Sequence, residues 1–193
     1  PERSRSDTEA ASQQLDQMIS QGILKASYVG TGQHEKMISF SLQNTSNKEV
    51  TVQLSPGMIL NPGPNHRVQP LLVDDHADVT LAPGESRSGD LYSYCMDSRV
   101  PAPPAGQAID YRFASRTKDG GPEAVRVLEA AKAMFAPGPY RRAVTQLAIW
   151  RSLGQRVGPD QVMSVLEEKA FDPKLRKAVL HDVERVLEQA ARK

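Results

Sequence analysis

The chain has 193 residues, with 24 Lys and Arg against 23 Asp and Glu, so its formal net charge is +1. A chain this close to neutral, with 5% aromatic residues, lacks the basic surface that binding to a nucleic-acid backbone requires. No apolar run approaches the roughly 18 residues of a membrane span. A single cysteine excludes both an internal disulfide framework and a Cys-rich zinc site. Composition therefore predicts a globular protein with no nucleic-acid partner and no membrane span.

The N-terminal segment, residues 1–22, is polar at its start and becomes helical in pattern. Its first residue is Pro1 rather than Met, so we expect a processed or excised piece from which any signal peptide has been removed. Apolar side chains such as Leu15 and Met18 recur at helical intervals. This spacing predicts a short helix over about residues 7–21.

Alternation and turn residues dominate residues 23–118. Short apolar runs separated by turns at regular spacing are typical of an antiparallel β-sandwich of immunoglobulin-like type. The polar stretch Asn44–Asn47 predicts a hairpin between the strands on either side of it. Pro83-Gly84, within Ala82–Glu85, predicts a type II turn. The apolar runs are about residues 24–29, 37–42, 50–54, 58–60, 68–73, 79–81, 91–96 and 109–114, and we expect seven or so of them to be strands.

Helical periodicity replaces alternation in residues 119–193. Four short helices are expected, the first opened by Pro122 and the second spanning Tyr140–Leu153. The third begins at Gly158-Pro159-Asp160 and the fourth at Asp172-Pro173, and almost no strand is expected after Gly120. The predicted fold is therefore α+β: a short N-terminal helix, an immunoglobulin-like antiparallel β-sandwich, and a four-helix C-terminal subdomain packed on the sandwich.

Three loop residues are weak candidates for a metal site. His66 and His76 lie in predicted loops near Asp74, and imidazole combined with carboxylate can bind zinc or copper. Histidines in loops are, however, mostly solvated, and no pair here has a tight ligand spacing. The sequence also lacks the G-x-S-x-G nucleophile elbow of many hydrolases. We therefore expect no metal and no cofactor, and a hydrolase or metal-binding protein is the least favoured function.

The predicted helix Tyr140–Leu153 is apolar around most of its circumference, which is typical of a helix buried by its neighbours. Gln146 shares a face with Ala143 and Trp150, so we expect its carboxamide to be out of bulk solvent. A buried amide needs hydrogen-bond partners. One interpretation is that Gln146 bonds a loop or strand backbone and has a structural role only.

Two short strings support a second interpretation. Tyr94-Cys95-Met96 ends a predicted strand, and Thr145-Gln-Leu-Ala-Ile-Trp150 lies on the buried helix. Together they resemble the paired motifs of the bacterial thioester domains found in surface adhesins. The resemblance implies that Cys95 and Gln146 condense, with loss of ammonia, to an internal thioester over which Trp150 packs. In that case the supporting residues are Tyr94, Met96, Thr145 and Trp150, and an amine can attack the activated acyl group.

Two turn sequences resemble those of envelope-associated immunoglobulin-like domains: Leu54–Met58, with Gln69 following, and Val79–Glu85. The resemblance implies a secreted or cell-envelope location. We therefore expect a non-enzymatic surface or envelope module for binding or adhesion, with the thioester as its reactive group. Its partner would be a protein or an amine of a host or cell surface. The alternative is a structural protein-interaction or scaffolding domain, in which Cys95 and Gln146 serve only the core.

Overall fold

The computed structural model describes residues 5–34, 36–74, 76–114, 120–166 and 172–192. The chain divides into two compact units. The first, here called the β unit, comprises Pro1–Cys95 and Arg99–Lys118; the second, the helical unit, comprises Met96–Ser98 and Asp119–Lys193. The sequence-based boundary between 118 and 119 lies outside the described residues. None of the described helices combines the length and apolar character that crossing a bilayer requires.

The β unit contains one helix and nine strands within the described residues, and every strand pairing is antiparallel. This confirms the α+β class and the antiparallel β body. The elements are α1 (Arg5–Ser20), β1 (Leu24–Gly30), β2 (Lys36–Asn44), β3 (Val50–Leu54), β4 (Ile59–Pro62), β5 (Leu71–Val73), β6 (Ala77–Leu81), β7 (Ser86–Cys95), β8 (Ala108–Ile109) and β9 (Tyr111–Ala114).

Seven of these strands form one sheet in the order β8-β1-β2-β7-β5-β4-β9, and β3 and β6 form a separate pair. Strand β7 pairs with two strands on different parts of its length: Ser86–Tyr92 pairs with β2, and Ser93–Cys95 pairs with β5. The sheet is curved. Tyr28 of β1, near one end of the sheet, contacts the rings of Tyr111 and Phe113 of β9 at the other end edge-on, with centroids 6.1 and 6.4 Å apart. Helix α1 packs against β1, β3 and β9. The two ends of the sheet thus share one core.

The predicted hairpin between β2 and β3 is wrong. Strand β2 pairs with β1 and β7, whereas β3 pairs with β6 in the other sheet. The physical reason is Asn44, which is fully buried at the end of β2. Its Nδ2 donates to the carbonyls of Lys48, Leu81 and Ala82 at 2.7, 3.0 and 3.1 Å, and its Oδ1 accepts from the Ser46 amide at 2.9 Å. These bonds hold the polar turn against the end of β6, so the chain changes sheets there.

The last predicted strand, 109–114, is two strands divided at Asp110. The backbone groups of Asp110 bond a loop instead of a neighbouring strand. Its carbonyl accepts from the Gly63 amide at 2.7 Å, and its amide donates to His66 Nε2 at 3.1 Å. These two bonds replace the ladder at this position.

The type II turn at Pro83-Gly84 is confirmed. Gly84 has φ +76°, and the Glu85 amide donates to the Ala82 carbonyl at 3.0 Å, which is the bonding pattern of this turn. The Glu85 carboxylate also accepts from the Ala82 amide at 2.8 Å. The loop between β6 and β7 is therefore fixed by both its backbone and its side chain.

The helical unit contains four helices within the described residues: α2 (Gly121–Met134), α3 (Pro139–Ser152), α4 (Pro159–Leu166) and α5 (Pro173–Ala191). Each begins within a residue or two of a predicted start, because proline fits the first turn, where no amide partner is needed. Asp172 caps α5 through a 2.8 Å bond from the Lys174 amide. No strand follows Gly120 among the described residues, as the periodicity predicted.

Candidate functional site

Cys95 is the last residue of β7 and lies in the core of the β unit. It is paired in register with Leu71 of β5, and its side chain is 4% exposed. Its Sγ donates to Met37 Sδ of β2 at 3.3 Å. The preceding residue, Tyr94, is also buried, and its hydroxyl donates to Asp74 Oδ2 at 3.2 Å. The thiol is therefore held in a fixed position and shielded from water.

Tyr111 contributes a second polar group to this core. Its hydroxyl donates to the Gln69 carbonyl at 3.0 Å. Burial, with a smaller contribution from Cys95, raises the pKa of Tyr111 well above its ordinary value, so the phenol stays neutral. Gln69, which follows the turn sequence Leu54–Met58 along the chain, is itself buried. Cys95 thus contacts a thioether and influences a neutral phenol.

Gln146 and Trp150 lie one helical turn apart on α3. All eight residues from 143 to 150 are buried, which confirms the expected burial of this helix. The exposed fraction is 6% for Gln146 and 8% for Trp150. Thr145, next to Gln146, bonds its own helix, since its Oγ1 donates to the Arg141 carbonyl at 2.7 Å. The indole Nε1 of Trp150 is buried and has no acceptor among the described residues.

The two candidate residues fall in different units: Cys95 belongs to the β unit, and Gln146 to the helical unit, to which Met96 of the first string also belongs. Both are buried there, as a water-sensitive reaction would require.

A residue whose structural role the sequence did not reveal is Gln155, in the loop after α3. Its Nε2 donates to the Met96 carbonyl at 2.6 Å, and its Oε1 accepts from the Ser98 amide at 2.7 Å. Gln155 thereby holds the segment 96–98 in the helical unit. Its partners are backbone groups, which every residue has, so the sequence gives no signal for these bonds.

Each of the three weak metal candidates lies close to a different partner. His66 Nε2 accepts from the Asp110 amide, and Asp74 accepts from Tyr94. His76 Nε2 lies 3.9 Å from Asp78 Oδ2, with both side chains about half exposed. Across the described ranges, no group of three or more His, Cys, Asp or Glu side chains could hold a metal ion.

Comparison of the chain with protein-family models, with curated proteins and with solved structures finds no match. The class of protein that the fold defines is α+β, with an antiparallel β body and a helical unit. Its function has to be inferred from its own residues.

Proposed function

We propose that the protein is a non-enzymatic binding or adhesion module of a cell surface or envelope. Its reactive group would be an internal thioester between Cys95 and Gln146. The partner would be a protein or another surface molecule that carries a primary amine. The acyl group is used once and is not regenerated, so the protein is not an enzyme.

The observation that carries this proposal is the path of the chain directly after Cys95. Met96 is joined to Cys95 by a peptide bond, so their Cα atoms are about 3.8 Å apart. Within the helical unit, the Met96 carbonyl accepts a bond from Gln155, which closely follows the end of α3. Helix α3 is also the helix that carries Gln146. Cys95 therefore directly precedes, along the chain, a segment that belongs to the same unit as Gln146.

The chemistry fits two buried groups. When the Cys95 sulfur attacks the Gln146 carboxamide carbon, an S–C bond forms, the C–N bond breaks, and the thiol proton leaves with nitrogen as ammonia. An amide is a poor electrophile, so the step needs fixed geometry and exclusion of water. The burial of both side chains supplies the second condition. A lysine amine that later attacks the thioester leaves a stable amide and returns the thiol.

Intact-mass spectrometry of the folded protein tests the proposal. We expect a mass lower than the sequence mass by one ammonia, and Cys95→Ala and Gln146→Glu variants at their full sequence masses. Methylamine should then add one methylamine to the wild type and to neither variant. A wild-type mass equal to the sequence mass, with one thiol titrating after unfolding, would contradict the thioester.

A second candidate function is a scaffolding or protein-interaction domain without covalent chemistry. The observation that favours it is the 3.3 Å contact between Cys95 Sγ and Met37 Sδ, which is how a core cysteine packs. Under this alternative, the wild type has its full sequence mass, and Cys95→Ala lowers stability by about 1 kcal/mol as a small core truncation.

We also propose that the β unit is immunoglobulin-like and that the helical unit, a four-helix subdomain, packs on it. The antiparallel pairing and the type II turn before β7 support the first part. The packing predicts a single cooperative unfolding transition, in which fluorescence of Trp150 and far-ultraviolet circular dichroism change together. Two separate transitions would contradict it.

A further inference from the structure

Trp150 has a buried hydrogen-bond donor that nothing in the described structure uses. The indole Nε1 has no acceptor among the described residues, although the side chain is 8% exposed. An unmatched buried donor is destabilising, and each one in a native protein calls for an explanation. The neighbouring polar residue Thr145 is satisfied by its own helix. Trp150 Nε1 is thus one of a few buried polar atoms without a hydrogen-bond partner among the described residues, and on α3 it shares this property with Arg141 Nε.

The nearest turn of α3 supplies a candidate acceptor. Trp150 follows Gln146 by four residues, and side chains at this spacing lie on the same face of a helix. A long helical side chain extends toward the preceding turn, which for Trp150 is the turn that carries Gln146. The structure has Gln146 as a carboxamide, and its oxygen does not accept from Trp150.

We propose that Trp150 Nε1–H is the donor to the carbonyl oxygen of Gln146 once that residue has become the acyl group of a thioester. This inference rests on the function proposed above. When an amine attacks the acyl carbon, the carbonyl electrons move onto oxygen, and the indole N–H stabilises this charge. The C–S bond then breaks, the electron pair passes to the Cys95 sulfur, and the sulfur takes the proton that the amine loses. The result is an amide and a thiol.

A fixed donor of this kind is worth most where water is excluded, as it is around Trp150 and Gln146. Loss of one such donor slows acyl transfer by about 100-fold in comparable sites. Trp150→Phe removes the N–H and keeps an aromatic ring. We therefore expect this variant to react with methylamine about 100-fold more slowly than the wild type, as followed by intact mass.

Tyr28→Phe is the matched control. The Tyr28 hydroxyl is likewise buried, with no hydrogen-bond partner in the part of the chain that the structure describes, but it lies in the core of the β unit. We expect its methylamine rate to equal that of the wild type. If Trp150→Phe carries the ammonia deficit and reacts within two-fold of the wild type, the inference is wrong while the thioester stands. A wild type without the deficit would overturn both.

A second measurement avoids the core substitution. The sequence has one tryptophan, so its indole N–H gives a single resonance in a proton–nitrogen correlation spectrum. We expect this resonance further downfield, and slower to exchange, in the thioester form than in Cys95→Ala, because only the thioester form bonds it. The same position and exchange rate in both proteins would overturn the inference.

Discussion

The hydroxyl of Tyr140 donates a 2.7 Å hydrogen bond to Asp182 Oδ2, which ties the first turn of α3 to the middle of α5. Arg185 donates to the other carboxylate oxygen at 2.8 Å. Burial acts to raise the pKa of Asp182, but these two bonds outweigh it, and the pKa lies below its ordinary value of 3.8. Burial, and then the bond to Asp182, raise the pKa of Tyr140 to about 12.

This pair predicts two pH limits to stability. Asp182 has its pKa lowered by folding, so its contribution is present above pH 3.8 and is lost as the pH falls through the lower folded value. Tyr140 has its pKa raised, so its contribution is complete below pH 10 and is lost as the pH rises toward about 12. At pH 7, Tyr140→Phe should lower the free energy of unfolding by about 1 kcal/mol. In denaturant titrations, the difference in unfolding free energy between Tyr140→Phe and the wild type should become smaller at both acid and alkaline pH.

The control for this prediction is Glu123→Gln. It breaks a more exposed pair, in which Arg126 Nη2 lies 3.2 Å from Glu123 Oε1. We expect a change within about 0.5 kcal/mol. An equal effect of both substitutions would show that the bond between α3 and α5 has no special weight.

Gly120, at the N-terminal cap of α2, occupies a position that disfavours a side chain. Its φ is +78°, and a Cβ built on it would lie 2.2 Å from Leu153 Cδ2. Gly120→Ala therefore adds to the backbone strain a contact that the Leu153 side chain must move to relieve, and should cost about 2 kcal/mol of unfolding free energy. Gly154→Ala separates the two effects, because Gly154 has φ +73° with no described heavy atom within 4 Å of such a Cβ. We expect about 1 kcal/mol there, and equal losses would contradict the clash.

Asn44 should be the most sensitive polar residue of the β unit. Asn44→Ala removes three donor bonds and leaves the buried Leu81 carbonyl without its amide partner. We expect a loss of about 2–3 kcal/mol in urea unfolding. Thr51→Ala, which removes an exposed 3.1 Å contact with Thr80 in the neighbouring β3–β6 pair, should change stability by about 0.5 kcal/mol or less. A loss below 1 kcal/mol for Asn44→Ala would contradict its role in the change of sheet.

Gln155→Ala should release the segment that follows Cys95. Two bonds are lost, each worth about 1 kcal/mol, and the Ser98 amide should exchange its hydrogen faster. Gln161→Ala removes a local bond from the Gly158 amide at 2.9 Å and should leave Ser98 exchange unchanged. Unchanged Ser98 exchange in Gln155→Ala would show that other contacts hold the segment.

The positions of the helices and strands could be predicted from the sequence because their signals are local. Proline at helix starts, glycine with positive φ in turns, and alternation along β2 act within a few residues. Strand pairing could not be predicted in the same way. The bond from Asn44 to the Leu81 carbonyl joins residues 37 positions apart, and a polar turn looks the same whether it closes a hairpin or joins two sheets.

The candidate site was likewise predictable only in part. The burial of Gln146 and Trp150 followed from the apolar circumference of α3, and the structure confirms it. The unmatched Nε1 of Trp150 was not predictable, since it depends on which acceptors the fold brings near. The thioester itself stays a prediction.

Because Gln155 binds the backbone 59 positions before it, the segment 96–98 still lacks this partner when the last strand of the β unit has been synthesised. A growing chain that has just released β9 still lacks the glutamine that fastens Met96, and must wait for α2 and α3 to emerge. Until then Met96 and Ser98 lack their hydrogen bonds to Gln155. The order of synthesis thus leaves Cys95 as an unreacted thiol while β1–β9 assemble. The bonds from Gln155 to Met96 and Ser98 form only after the helix that bears Gln146 has been made.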